Sequence, residues 1–373
     1  MAGRTAGGGP GGLGGLGRGG GAAGAAPPLE ELLAGAAVVA LPLRVRFRGI
    51  EVREALLLRG PAGWGEFAPF AEYDDATSAA WLAAGVEAAW AGWPEPLRQR
   101  VTVNATVPAV PAERVPEVLA RFPGCTTAKV KVAERGQSLA DDLARVAAVR
   151  EALAARTGDG ARVRVRVDAN GGWSVEDAAA ALTALTAGRG QGPLQYAEQP
   201  CASVAELVAL RARLAAAGVA VPIAADESIR RASDPLAVVR AGAADVAVLK
   251  VPPMGGVRAV LSLAEQLRAE GLRRTGTPVP VVLSSALDTA VGLSAGLAAA
   301  AAIPLASGEE QLASGLGTGS LFAVDVAEPR ELSGGALPVG PVQPDPELLQ
   351  RHAAPPERRD WWLDRLRRCH ALL

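Results

Sequence analysis

Histidine is nearly missing from this chain of 373 residues: only His352 and His370 occur, both near the C-terminus. A Ser-His-Asp triad, a histidine-ligated zinc site or a histidine general base in the middle of the chain is therefore excluded. Cysteine is scarce too. Cys125, Cys201 and Cys369 are widely spaced and form no CxxC pair or disulfide framework, which fits a reducing, cytoplasmic compartment. Neither sign of charge dominates, with 38 Lys and Arg against 39 Asp and Glu, so neither a basic nucleic-acid footprint nor an acidic tail is expected. No stretch reads as a transmembrane span. The run LAAAAAIP from Leu297 is alanine-rich and far short of the roughly 20 strongly apolar residues a spanning helix needs. Chemistry in the body of this chain must run on carboxylates and lysines.

Large apolar side chains are almost absent from residues 1–28, which are mostly Gly, Ala and Pro and are read as a disordered extension. No continuous Leu, Val or Ile run marks a targeting peptide there. From 29 to 100 two β-type runs, VVALPLRVRF and EVREALLLRG, precede GWGEFAPF and the helical ATSAAWLAAGVEAAW, a pattern that suits a small α+β cap. From 101 to 322 the rhythm becomes strand, helix, strand, helix. The strand-like runs are VTVNATVPA, TAKVKV, VRVRVDAN, LQYAEQP, VPIAADES, VAVLKVPP and VPVVLSSA, with a weaker eighth near GTGSLFAV. Seven βα units and an eighth strand predict an α/β fold, a (β/α)7β TIM-like barrel. A doubly wound open sheet is the alternative, but no GxGxxG follows the first strand. The tail, 323–373, with RRDWWLDRLRRC, is expected to pack back on the cap.

Polar residues close one strand after another. Lys129 and Lys131 end the second, Asp168 and Asn170 the third, Glu198 the fourth, Asp226 and Glu227 the fifth, Lys250 the sixth, and Ser284 and Ser285 the seventh. In a barrel that is the end where active sites are built. Asp168, Glu198 and Asp226 follow at intervals of 30 and 28 residues, about one βα repeat each, so their carboxylates should converge from adjacent strands. Three such carboxylates without histidine or cysteine suit a hard cation, Mg²⁺, with Mn²⁺ a possible substitute. Lys129 and Lys131 alternate onto one face of their strand and would stand on one side of the cation, with Lys250 on the other. A lysine crowded by positive charge loses its proton more easily and can act as a base. A carboxylate substrate on the metal would have its α-proton acidified.

Taken singly, each feature has a plainer reading. A lone Lys-x-Lys is more often a solvated edge strand, DAN and EQP are loop starts, and DES can cap a helix. Their occurrence in order at consecutive strand ends is what favours a site. Cys125 and Cys201 read as core residues, and Trp361 and Trp362 as packing anchors. Glu227 reads either as support for a lysine or as a partner of a ligand.

The motifs AKVKV, RVDANGGW, EQPC, AADES, VLKVPPMGGV and SSALD resemble the enolase superfamily, and within it the muconate-lactonizing subgroup, from about residue 37 to the C-terminus. That resemblance implies metal binding by Asp168, Glu198 and Asp226, a base at Lys131, and Lys250 on the opposite face. It implies that Lys129 orients the substrate carboxylate. Further substrate contacts are expected from Asn170, Gly255, Ser284, Ser285 and Arg48, and from loops around Arg48–Gly49 and Phe67–Tyr73. The stretches LPLRVRFRGIEVRE, GWGEFAPFAEY, NATVPAV and SSALDTAVG are similar to the dehydratases of that subgroup, which implies syn loss of water from a succinyl-bearing hydroxycyclohexadiene carboxylate. An N-succinylamino acid racemase or dipeptide epimerase remains open, because it too needs a lysine on each face. A non-catalytic metal-bound scaffold gives the lysines no task. A glycosidase needs two carboxylates and leaves three lysines unexplained. The partner expected is a small carboxylate, with no nucleic acid and no membrane; the sequence leaves monomer or homo-oligomer open.

Overall fold

The computed structural model describes residues 26–47, 49–157, 162–188, 190–305 and 309–373. Most of the expected N-terminal extension, and Arg48, lie outside the described residues. After a short helix α1 (Leu29–Ala34), the strands β1 (Ala36–Phe47), β2 (Ile50–Gly60) and β3 (Gly63–Phe67) form an antiparallel sheet in that order. The β1–β2 register breaks between Pro42 and Phe47, consistent with a proline that cannot donate to the ladder. The helix α2 (Asp75–Val86) follows, started by the Asp74 carboxylate, which accepts from Thr77 N at 2.8 Å. It lies so close to β3 that a Cβ on Gly65 would stand 1.9 Å from Gly85 O. Only two glycines allow that approach.

The strand β4 (Arg100–Thr102) leads into β5 (Ala105–Val107), α3 (Val115–Leu119), β6 (Thr127–Lys131), α4 (Leu139–Arg156), β7 (Arg164–Asp168), α5 (Val175–Ala187), β8 (Tyr196–Glu198), α6 (Val204–Ala216) and β9 (Ile223–Ala225). Then come α7 (Glu227–Arg230), α8 (Ala237–Arg240), β10 (Val246–Leu249), α9 (Val257–Thr275), β11 (Val281–Leu283) and α10 (Ala290–Ala302). The helix starts are written into the sequence. Ser138 with Asp141 and Ser203 with Glu206 form reciprocal capping boxes ahead of α4 and α6.

Strands β5 to β11 form one parallel sheet in chain order. Their apolar residues are buried on both faces, as a sheet wrapped by helices requires. The sheet closes on itself through Ser314, which bridges Val103, and Gly315, which bridges Ser284. This corrects two expectations. The closing strand is the short piece at Ser314–Gly315, and GTGSL forms a 3₁₀ turn over Gly317–Leu321. The run VTVNATVPA is divided: β4 turns away to pair antiparallel with β12 (Ala336–Pro338), and only β5 stays in the barrel. Among the described residues no helix is long and apolar enough to cross a membrane.

The chain ends in α11 (Pro346–Arg351) and α12 (Pro356–His370), and α12 lies on the cap. Trp362 meets Phe67 edge to face at 5.8 Å and donates to Glu54 at 2.9 Å. Arg365, fully buried, donates to Phe70 O at 3.1 Å and Ser78 Oγ at 2.8 Å. The cap is also plugged into the barrel. Glu66 of β3 reaches the start of α10 and accepts from Thr289 N at 3.0 Å, Thr289 Oγ1 at 2.5 Å and Gly292 N at 3.2 Å. Glu87, just beyond α2, takes the same position at α9, accepting from Val257 N and from Arg258 N at 3.2 Å. Carboxyl oxygens at a helix N-terminus accept from N–H groups that have no partner within the helix.

Candidate active site

The strand ends meet in a cleft at the C-terminal mouth of the barrel, under the β1 end of the cap. Lys129, Lys131, Asp168, Asn170, Lys250, Ser284 and Ser285 line it. Glu198 and Asp226 lie at its base, each 1% exposed, so their charges must be met by protein groups or by a cation. Gly255 is not among the lining residues. It ends the turn Pro252–Met254 with a left-handed backbone, φ 88°, beside the mouth.

Alternation along β6 turns Lys129 and Lys131 inward together, but they meet different partners. Lys129 Nζ is 2.9 Å from Glu198 Oε1 and 3.2 Å from Asp168 Oδ2. Lys131, nearer the mouth, is 2.7 Å from Asp168 Oδ2, also donates to Asn170 Oδ1, and stands 5.6 Å from the ring centre of Phe47. Lys250, four strands away from β6, pairs with Asp226, which Arg230 Nε also meets at 2.9 Å.

The charges follow from these contacts. Burial disfavours the Lys129 ammonium, but Glu198 and Asp168 outweigh it and hold Lys129 protonated, above the ordinary lysine range. Burial likewise opposes ionisation of Asp168, yet the Lys131 and Lys129 ammoniums keep it well below the carboxylate range. Asp226 is buried too and is lowered to about 2 by Lys250 and Arg230. Glu198 goes the other way, pushed up to about 7 by burial and by Asp168 and Asp226 beside it, against the pull of Lys129.

Among the described residues no three acidic, histidine or cysteine side chains are already gathered around one point as a metal site. Each carboxylate is instead turned to an ammonium or guanidinium. The donors nevertheless fit a divalent cation. They are hard oxygens at the ends of three adjacent strands, buried, and close enough that Asp168 and Asp226 add to burial in raising Glu198. A dication between them would relieve that repulsion.

Several residues of the site escaped the sequence reading. Thr106, on β5, and Thr318, in the turn after the closing strand, line the cleft, and both hydroxyls are buried with no hydrogen-bond partner. Gln199 ties adjacent loops together, accepting from Asp226 N and Ser228 N at 3.1 Å each and donating to Ser228 Oγ at 2.7 Å. Asn170, Gln199 and Leu287, each just past a strand end, have φ of 48°, 39° and 66°. Such left-handed backbone costs energy in these residue types and is kept where the surroundings enforce it. The EQP motif held the one signal for Gln199, a polar residue directly after a strand-end carboxylate. Beneath the carboxylates, buried Arg166 donates to Ala313 O at 2.6 Å and Gln195 Oε1 at 2.7 Å, forming a polar floor.

A capped barrel with acids and lysines at successive strand ends is the architecture of the enolase superfamily, and the comparisons agree. Residues 38–89 match the family described as enolase N-terminal domain-like, and residues 112–343 that described as enolase C-terminal domain-like. The o-succinylbenzoate synthases of Mycobacterium leprae and Mycolicibacterium smegmatis are each 59% identical to this chain over 347 residues, covering 93% of it and 95% and 98% of their own lengths. Among solved structures, the muconate lactonizing enzyme from Pseudomonas fluorescens shares the fold with a TM-score of 0.65 at 22% identity, covering 86% of this chain and 98% of that one. The chain therefore belongs to the o-succinylbenzoate synthase family of the enolase superfamily.

Proposed function

We propose that this chain is a hydro-lyase that removes water from 2-succinyl-6-hydroxy-2,4-cyclohexadiene-1-carboxylate, giving o-succinylbenzoate for menaquinone biosynthesis in the cytoplasm. The observation that carries the reading is the 59% identity to o-succinylbenzoate synthases across 93% of the chain. Members of the superfamily generally use a divalent metal, and we assign Mg²⁺, with Mn²⁺ able to replace it, to Asp168, Glu198 and Asp226. When bound, the cation supplies stabilisation of the negative charge that grows on the substrate carboxylate.

The chain's own groups do the rest. Lys129, held protonated in the floor of the cleft, supplies a fixed positive charge for the substrate carboxylate. Lys131 Nζ acts as the base and takes the α-proton, the electron pair left behind expels the hydroxyl group, and the same Nζ–H delivers its proton to that leaving oxygen. Water departs and Lys131 is back in its starting state. One base serving as acid on the same face accounts for syn elimination. Lys250, across the cleft, offsets the charge that develops as the proton leaves. Ser284 and Ser285, 5% and 8% exposed, and Asn170 offer polar contacts to the rest of the substrate. Phe47, its ring centre 5.6 Å from Lys131 Nζ, adds an apolar wall to the proton-transfer side of the cleft.

Placing lysines on both sides is also what a racemase needs, so the assay must separate the two. Purified protein with Mg²⁺ is to be assayed on the cyclohexadiene carboxylate and on an N-succinylamino acid. Faster dehydration supports the assignment. Racemisation with no dehydration overturns it.

A further inference from the structure

A barrel with eight strands and seven βα units has one flank with no helix of its own. Here that flank lies between α10 and α3, after the closing strand, and the irregular segment 323–335 covers it. Beneath this cover lies a cavity of about 500 Å³, far larger than the catalytic cleft and within the roughly 300–1,000 Å³ typical of small-molecule sites.

Its wall has the composition of a site for an amphipathic anion. Phe122, Leu293, Phe322, Val324, Leu332 and Leu337 supply an apolar body. Arg44, Arg121 and Arg330 supply three cations, against one acid, Asp325. The Asp325 oxygens are already committed to the backbone N–H groups of Ala290 at 3.0 and 3.1 Å and Val326 at 2.7 Å. Arg121 is paired with Glu117 at 2.6 Å. Arg44 and Arg330 have no carboxylate partner among the described residues; Arg44 donates to Ala323 O at 3.3 Å, and Arg330 to Ser294 Oγ at 2.7 Å, Pro338 O at 3.1 Å and Gly340 O at 2.5 Å, all neutral acceptors that leave its charge unpaired. Arg330 Nε is buried with no acceptor at all, although buried donors are nearly always satisfied.

The cavity and the catalytic cleft share a wall. In the turn Gly317–Leu321, Thr318 lines the cleft while Gly317, Gly319 and Ser320 line the cavity. We propose that the cavity is a second ligand site, for a small anion joining a ring system to a carboxylate or sulfonate, and that its occupancy is felt at the catalytic cleft through this turn.

Gly319 gives a direct handle. A Cβ there meets nothing within 4 Å and its φ is not positive, so a phenylalanine can enter the cavity without forcing the backbone. The probe is 1-anilinonaphthalene-8-sulfonate, titrated by fluorescence into the Mg²⁺-loaded protein. One saturable site is expected, weakened at least tenfold in Gly319→Phe and several-fold in Arg44→Glu, a surface change that leaves the fold alone. Saturable binding that survives both substitutions, or no saturable binding, overturns the site. This arm needs no turnover, so it can fail while the assigned reaction stands. In the second arm the probe should shift KM for the dehydration in the wild type but not in Gly319→Phe. An unchanged KM at saturating probe overturns the coupling through the turn.

Discussion

Replacing Glu66 by glutamine tests how the cap is held to the barrel. Burial and the neighbouring Asp288 push the Glu66 carboxyl up from 4.5 to about 7. A carboxyl whose pKa is higher folded than unfolded binds its proton more tightly in the native state. Its stabilising contribution is full below pH 4.5 and is lost as pH rises through 7. A rise from 4.5 to about 7 corresponds to about 3 kcal/mol of stability lost across that window. Glutamine does not titrate, and all three donors converge on a single oxygen, Oε2, which an amide oxygen can replace. Urea unfolding of wild type and Glu66→Gln between pH 4.5 and 8.5 should show the variant gaining about 3 kcal/mol relative to wild type toward the alkaline end. Parallel stability curves would refute the reasoning. Glu66 would then be an ordinary ionised helix cap, and the buried junction at Thr289–Gly292 would not disfavour its charge.

Two further outcomes follow from the contacts in the cleft. Asp168→Ala, Glu198→Ala and Asp226→Ala should each lose Mg²⁺ affinity by calorimetric titration while remaining folded, since each removes one of three mutually repelling acids; chelation of the wild type should abolish turnover and Mg²⁺ restore it. Lys129→Ala should keep some turnover with a raised KM, because it removes the positive charge fixed beside Glu198 at 2.9 Å, and its pH–rate profile should shift from that of the wild type. An unchanged KM and profile would mean that Lys129 is only a structural partner of Glu198.

The sequence revealed most where the barrel repeats. Asp168, Glu198 and Asp226 stand one βα unit apart, so spacing alone placed them on adjacent strands, and alternation alone put Lys129 and Lys131 on one face. Legibility failed where pairing is brief or comes from far along the chain. The closing strand makes only two bridges, at Ser314 and Gly315, too few residues for a period-2 pattern, while the apolar end of GTGSLFAV looked more strand-like than the turn it begins. Phe47 reaches Lys131 only through the docking of the cap, and Thr106 and Thr318 are single hydroxyls whose importance lies in having no partner once buried. Gly255, expected to contact substrate from its place in the VPPMGG run, lies outside the cleft lining. None of these depends on local pattern.

The most direct test of the chemistry is Lys131→Ala, measured for turnover of the cyclohexadiene carboxylate at saturating Mg²⁺, with substrate and metal binding measured separately. Lys131 is assigned both proton transfers, and a positioned acid–base group contributes on the order of 10²–10⁴-fold. The account predicts a loss in kcat of at least that order with metal affinity retained, and no rescue by Lys131→Arg, because a guanidinium does not give up its proton at working pH. Turnover by Lys131→Ala within tenfold of wild type would contradict it.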